Sequence, residues 1–141
     1  MMRFLLGIVL LVGVVYGEEQ PKEKAVDNDK EKLQGKWVLT SGIVDGKDRT
    51  KEWGKQRFTV VIQGDKMTFG PEKDKRTATF HIDPSRKPKT FDLFVSLGIY
   101  ELKRDELKIC LGGPKRPTEF TSKAGSDKVL YVFKRAKKRE K

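Results

Sequence analysis

The sequence predicts an all-β fold, an antiparallel up-and-down barrel of eight strands, on three observations. Apolar residues recur at every second position in short runs, turn signals separate those runs at close spacing, and no helical pattern is long enough for the crossover of a parallel sheet. Each run sets an apolar face against a charged one. A single layer closed on itself buries the first and solvates the second.

Trp37, Leu39, Ser41 and Ile43 form the first apolar row, which ends at Asp45-Gly46, a strong turn pair. The polar segment from Lys47 to Gln56, with Trp53 inside it, reads as a turn or a single helical turn capping one end. Phe58, Val60 and Ile62 form the next row, stopped by Gly64-Asp65, and Met67 and Phe69 resume it up to Gly70-Pro71, so the pair is a hairpin. Ala78, Phe80 and Ile82 alternate with Thr77, Thr79, His81 and Asp83 as far as Pro84, which puts His81 on the polar side of its strand. Phe91, Leu93 and Val95 make a further row after Lys87-Pro88. Tyr100 with Leu102, and Leu107 with Ile109 and Leu111, are the arms of a hairpin turning through Lys103 to Glu106, and Cys110 lies opposite the Leu107 row beside Lys108. Gly112 to Thr118 reads as a longer rim loop shaped by glycine and proline. The last strand, Lys128 to Arg135, carries Val129, Tyr131 and Phe133 on one face and Leu130 and Val132 on the other.

The flanks divide the chain further. Residues 1–17 combine a basic start at Arg3, an apolar run from Phe4 to Tyr16 and a small residue at Gly17, the pattern of a secretory signal peptide, and the run is short of the roughly 20 residues that span a bilayer. The expected location is therefore secreted or periplasmic. Residues 18–32 are almost entirely polar and read as a linker with at most a helical turn before Leu33. The barrel domain covers 33–136, and a basic tail covers 137–141. The formal charge of the whole chain is +11, which favours solubility and attraction to polyanions without deciding the fold.

Catalytic signals are weak, and the sequence reads as non-enzymatic with no cofactor. It holds no phosphate-cradling glycine loop and no serine nucleophile elbow. One cysteine and one histidine do not make a thiolate or imidazole metal site. A single cysteine in an exported chain has no internal disulfide partner, and Cys110 is expected to be a buried small hydrophobe. Asp45, Asp65, Asp83 and Asp105 all fall at predicted turns, the ordinary place for Asp.

A resemblance adds to this reading. Leu33-Gln34-Gly35-Lys36-Trp37 looks like the Gly-x-Trp signature of lipocalin-like barrels. With His81-Ile82-Asp83-Pro84, Gly98-Ile99-Tyr100-Glu101-Leu102, Leu107-Lys108-Ile109-Cys110, Arg116-Pro117-Thr118-Glu119-Phe120 and Val132-Phe133-Lys134-Arg135-Ala136, it resembles an uncharacterised lipocalin-like domain family found mainly in planctomycete bacteria. The resemblance implies an eight-stranded barrel and no established activity. It also implies structural roles for Trp37, closing the barrel bottom, and for Arg135, stacked over it from the last strand. The disulfide-linked loops of many animal lipocalins are missing from this chain.

Two functions follow as expectations. In the first, the barrel binds a small apolar ligand without chemistry, the candidate contacts being Phe58, Phe80, Phe91, Tyr100 and Tyr131 in the interior and Arg116 and Glu119 at the rim. In the second, the barrel is packed solid and acts as a surface module for protein or polyanion partners, with weak polyanion contact through Lys137, Lys138 and Arg139. The processing expectation is directly measurable: N-terminal sequencing of exported protein should begin at or near Glu18, and an intact Met1 would refute it.

Overall fold

Eight amphipathic strands have nowhere to bury their apolar faces except against one another, and the chain does this by closing its sheet. The computed structural model describes residues 21–137, so the signal-peptide reading of 1–17 and the tail residues 138–141 lie outside the described residues. The elements are α1 (Pro21–Leu33), β1 (Gly35–Val44), β2 (Lys47–Asp48), α2 (Thr50–Lys55), β3 (Thr59–Gln63), β4 (Lys66–Gly70), β5 (Arg76–Asp83), β6 (Lys89–Leu93), β7 (Ser96–Lys103), β8 (Glu106–Leu111) and β9 (Val129–Arg135). From β3 to β9 each strand pairs antiparallel with the next. β1 pairs with β3 on one side and β9 on the other, which closes an eight-stranded up-and-down barrel, and the two-residue β2 is an extra strand on the edge of β1.

Closure takes one irregularity. The β1–β9 register slips between Leu39 and Ser41, so Trp37 and Leu39 lie opposite Arg135 and Phe133, whereas Gly42 lies opposite Tyr131. The bulge reverses the alternation, and Gly42 replaces Ser41 in the inward row that the sequence predicts. A side chain at Gly42 would meet the indole of Trp53, since a Cβ there would lie 2.4 Å from its Cε3. Trp53, on α2, packs over this end of the barrel with its ring 5.7 Å from Tyr131 and 5.2 Å from Phe58.

The opposite end is closed by Trp37, fully buried, whose Nε1 donates to the Leu33 carbonyl at 2.9 Å. Arg135 lies 4.2 Å over the indole ring and donates to the carbonyls of Gln34 at 2.9 Å and Lys32 at 2.6 Å. A stacked guanidinium of this kind contributes about 0.5 to 2 kcal/mol, and here it also satisfies carbonyls at the C-terminal end of α1.

The polar segment before the barrel is a docked helix where the sequence suggests a tether. Ala25, Asp29 and Leu33 recur at helical spacing, and the centre of that face is a carboxylate. Asp29 is buried and accepts hydrogen bonds from the Tyr100 hydroxyl at 2.5 Å and from Lys89 Nζ at 2.9 Å. A helix whose docking contact is polar leaves no apolar periodicity in the sequence. Burial, then the hydrogen bond to Asp29, holds the Tyr100 phenol far above its ordinary pKa.

Two loops also depart from expectation. β6 ends at Leu93, and Phe94-Val95 is the two-residue turn into β7, so Val95 is not part of an inward row. The segment after β8 folds back over the outside of the barrel. It buries Ile99, Cys110 and Pro117 on what would otherwise be a solvent face, and Cys110 Sγ contacts the Thr121 carbonyl at 3.4 Å.

Truncating the buried plug tests this account of the closed end: Trp37→Ala should destabilise the fold by about 3 to 5 kcal/mol, the cost of removing a buried aromatic. A variant melting within a degree of the parent would contradict it.

Candidate polyanion-binding surface

The residues expected to line a ligand cavity are packed against each other. Phe80 and Phe91 stack at 5.2 Å with their planes 6° apart, and Phe91 meets Tyr100 edge-on at 6.1 Å. Phe58, Tyr131 and Phe133 form a second aromatic group beneath Trp53. Between these groups the interior keeps a cavity of about 30 Å³, lined by residues including Phe69, Phe91, Ile109 and Tyr131. That is room for a water molecule or two, against the 300 to 1,000 Å³ or so of a small-molecule site.

Tyr100 reaches the α1 end and spends its hydroxyl on Asp29. Arg116 does not stand at a barrel mouth. It lies on the outer wall, where its Nη1 donates to Asp92 Oδ1 at 2.6 Å and to the Gly98 carbonyl at 2.8 Å, and its Nη2 reaches Asp92 Oδ2 at 3.3 Å. The physical reason is the bidentate fit of guanidinium to carboxylate, which pins the 112–128 loop to β6 and β7. Glu119 follows on the same loop and is exposed. The interior candidates are thus brought together as core, and the two rim candidates are not brought to them.

Space for a partner lies outside. The loop between β5 and β6 carries Ser85-Arg86-Lys87-Pro88 and is flanked by two clefts. One, of about 280 Å³, is lined by residues including Arg86, Lys87, Lys89, Lys103 and Phe120, with Glu101 its acidic member. The other, of about 330 Å³, shares Arg86 and Lys87 and adds Thr90, Arg116 and Thr118. Lys89 is engaged by Asp29, and Arg116 by Asp92. Among the described residues Arg86 and Lys103 make long ion pairs, at 3.4 Å to Asp83 and 3.9 Å to Glu101, with side chains 67% and 71% exposed. Pairs so exposed contribute little, which leaves those cations free to meet an anion.

In the sequence this basic loop reads as a strand boundary. The signal was present as three cations within the five residues Arg86 to Thr90, but their neighbours Lys103 and Phe120 arrive from β7 and the outer loop, which spacing does not reveal.

The remaining chemistry-bearing side chains stand apart from the clefts. Burial pushes the Cys110 thiol up, away from the thiolate form a nucleophile needs. His81 is exposed on the outer face of β5, opposite Asp92 of β6. Among the described residues no three metal-ligating side chains gather. Compared with family models, curated proteins and solved structures, the chain gives no significant match.

The packed interior has a pH signature. Burial pushes the Tyr131 phenol up to about 12, above the value of about 10 for an unfolded tyrosine. A folded pKa raised in this way gives stability that is complete below pH 10 and is lost as the pH climbs toward 12. The melting temperature should fall over that window, with a shallower fall in Tyr131→Phe. Identical alkaline profiles for the two proteins would show that the phenol is not buried as described.

Proposed function

We propose that this chain is an exported, non-catalytic barrel, packed solid, that binds a polyanion through the basic clefts on its outer wall. The observation that carries the reading is that the interior keeps only about 30 Å³, while two outer clefts of about 280 and 330 Å³ share the exposed cations Arg86 and Lys87. The net charge of +11 supports it by drawing anionic chains to the surface before specific contacts form.

The mechanism is attraction and alignment without bond chemistry. Arg86 and Lys87 project from one loop between the clefts, so anionic groups spaced along a flexible chain can occupy both sides at once. Arg116 gives the second cleft a fixed wall, because Asp92 and the Gly98 carbonyl hold its guanidinium in place. Contacts of this kind are screened by salt, with a Debye length near 8 Å at physiological ionic strength.

Dextran sulfate against neutral dextran is a sufficient probe. The parent chain should bind the sulfated polymer and not the neutral one, with affinity falling steeply between low and physiological salt. Arg86→Gln/Lys87→Gln/Lys103→Gln should weaken binding by about tenfold or more, whereas truncation after Ala136 should change it little. Unaltered binding by the triple variant would refute the cleft. Saturable binding of one hydrophobic probe per chain, displaced by a lipid extract, would restore the apolar-ligand reading.

A further inference from the structure

The short β-turns of the barrel mostly use the residues such turns favour. β1 passes to β2 through Asp45-Gly46 and β3 to β4 through Gly64-Asp65, whereas β7 passes to β8 through Arg104-Asp105 with Arg104 at φ 51°. The β6–β7 turn is Phe94-Val95. Among the described residues five non-glycines have left-handed φ, and four of them are Asp or Arg; the fifth is Phe94, at 57°. That backbone region is unfavourable for a bulky side chain, and a two-residue turn with positive φ only at its first central position ordinarily takes glycine there.

The strain does not serve packing. Phe94 is 67% exposed and Val95 86%, and the only other large apolar side chain in that state among the described residues is Val38, at 40%. Cations at the same end of the barrel come from the two segments that flank the turn. On one side Leu97 N donates to the Gly113 carbonyl and Gly113 N to Ser96 Oγ, which sets the exposed Pro114 and Lys115 beside the turn. On the other, β5 pairs with β6 as far as Phe80–Leu93 and then continues past the turn to the exposed Arg76 and Lys75. In the 71–76 segment Glu72 and Asp74 are outnumbered by Lys73, Lys75 and Arg76.

We propose that Phe94-Val95 is a wedge that inserts into the interface of an anionic lipid bilayer while Lys115, Lys75 and Arg76 meet the headgroups. A convex tip of two side chains is too small for a stable protein interface, which buries roughly 1,200 Å² or more. A lipid interface accepts a lone apolar wedge, and attraction between cationic residues and anionic headgroups supplies the second component that stable membrane attachment requires. This goes beyond polyanion binding, because a dissolved polyanion offers no apolar phase. It also uses a different turn from the Arg86-Lys87 loop.

The test uses the full chain with vesicles of phosphatidylglycerol and phosphatidylcholine, or of phosphatidylcholine alone, in co-sedimentation. The parent should bind the anionic vesicles. Phe94→Gly/Val95→Ser should lower the partition coefficient by about tenfold or more, the factor expected on losing one large buried apolar side chain. The same variant should melt no lower than the parent, because glycine suits the left-handed position. In a Phe94→Trp variant, anionic vesicles with brominated acyl chains should quench an emission component that the parent lacks. Equal partitioning of parent and double variant would reduce the contact to charge alone and overturn the wedge. So would failure of the parent to bind, or a parent dimer abolished by the double variant, which would assign the tip to a second copy of the chain. Dextran sulfate binding is measured in parallel, so loss of the cleft reading and loss of the wedge are separable outcomes.

Discussion

Everything in this molecule hangs on β1, the one strand whose two long partners, β3 and β9, come from opposite ends of the sheet. Closure brings Trp37 opposite Arg135 at one end of the seam and Val44 opposite Val129 at the other. The bulge between Leu39 and Ser41 lets the same strand serve both ends. Before it the inward residues are large and plug the barrel; after it the inward residue is Gly42, and the space left by the missing side chain is filled by the indole of Trp53. A β1 without the bulge would present Ser41 at that level, and α2 would lose its seat.

Once both ends are filled from β1, the interior belongs to the fold. Phe58, Phe80, Phe91 and Phe133 are all under a tenth exposed, and burying each such side chain contributes about 1.5 to 3 kcal/mol. Opening a ligand cavity would require giving up several of these contacts together. The outer wall carries no such constraint. It is there that the chain places its 112–128 loop, its half-buried Arg116–Asp92 pair and the clefts beside Arg86 and Lys87.

Much of this was legible in the sequence, and the rest was hidden for identifiable reasons. Strand periodicity of two is local, so the hairpins and the barrel could be read directly from alternating rows such as Phe58, Val60 and Ile62. The contact of Arg135 with Trp37 was expected only through a resemblance. Helix α1 was hidden because Asp29 is the centre of its docking face, and a buried carboxylate looks like a solvated one until Tyr100 and Lys89 are brought to it. The bulge at Thr40 has no glycine or proline to mark it. Arg116 was placed at a rim because nothing in spacing says that a loop doubles back over its own barrel to meet Asp92. The basic clefts had the same fate, since they are assembled from β5–β6, β7 and that loop.

The outer wall also shows how this chain treats apolar residues that alternation turns away from the core. Ile99 and Cys110 face outward on adjacent strands, and a loop anchored by Arg116 and carrying Pro117 covers them completely. Phe94 and Val95 lie next to the start of that same loop, tied to it through Ser96, Leu97 and Gly113, and they are left uncovered. A cover for outward apolar surface is therefore available within reach of the turn. Extending it would have gained burial, and replacing Phe94 with glycine would have relieved the backbone. An exposed phenylalanine at left-handed φ is thus explained neither by burial nor by backbone relief, and the proposed membrane contact gives it a role.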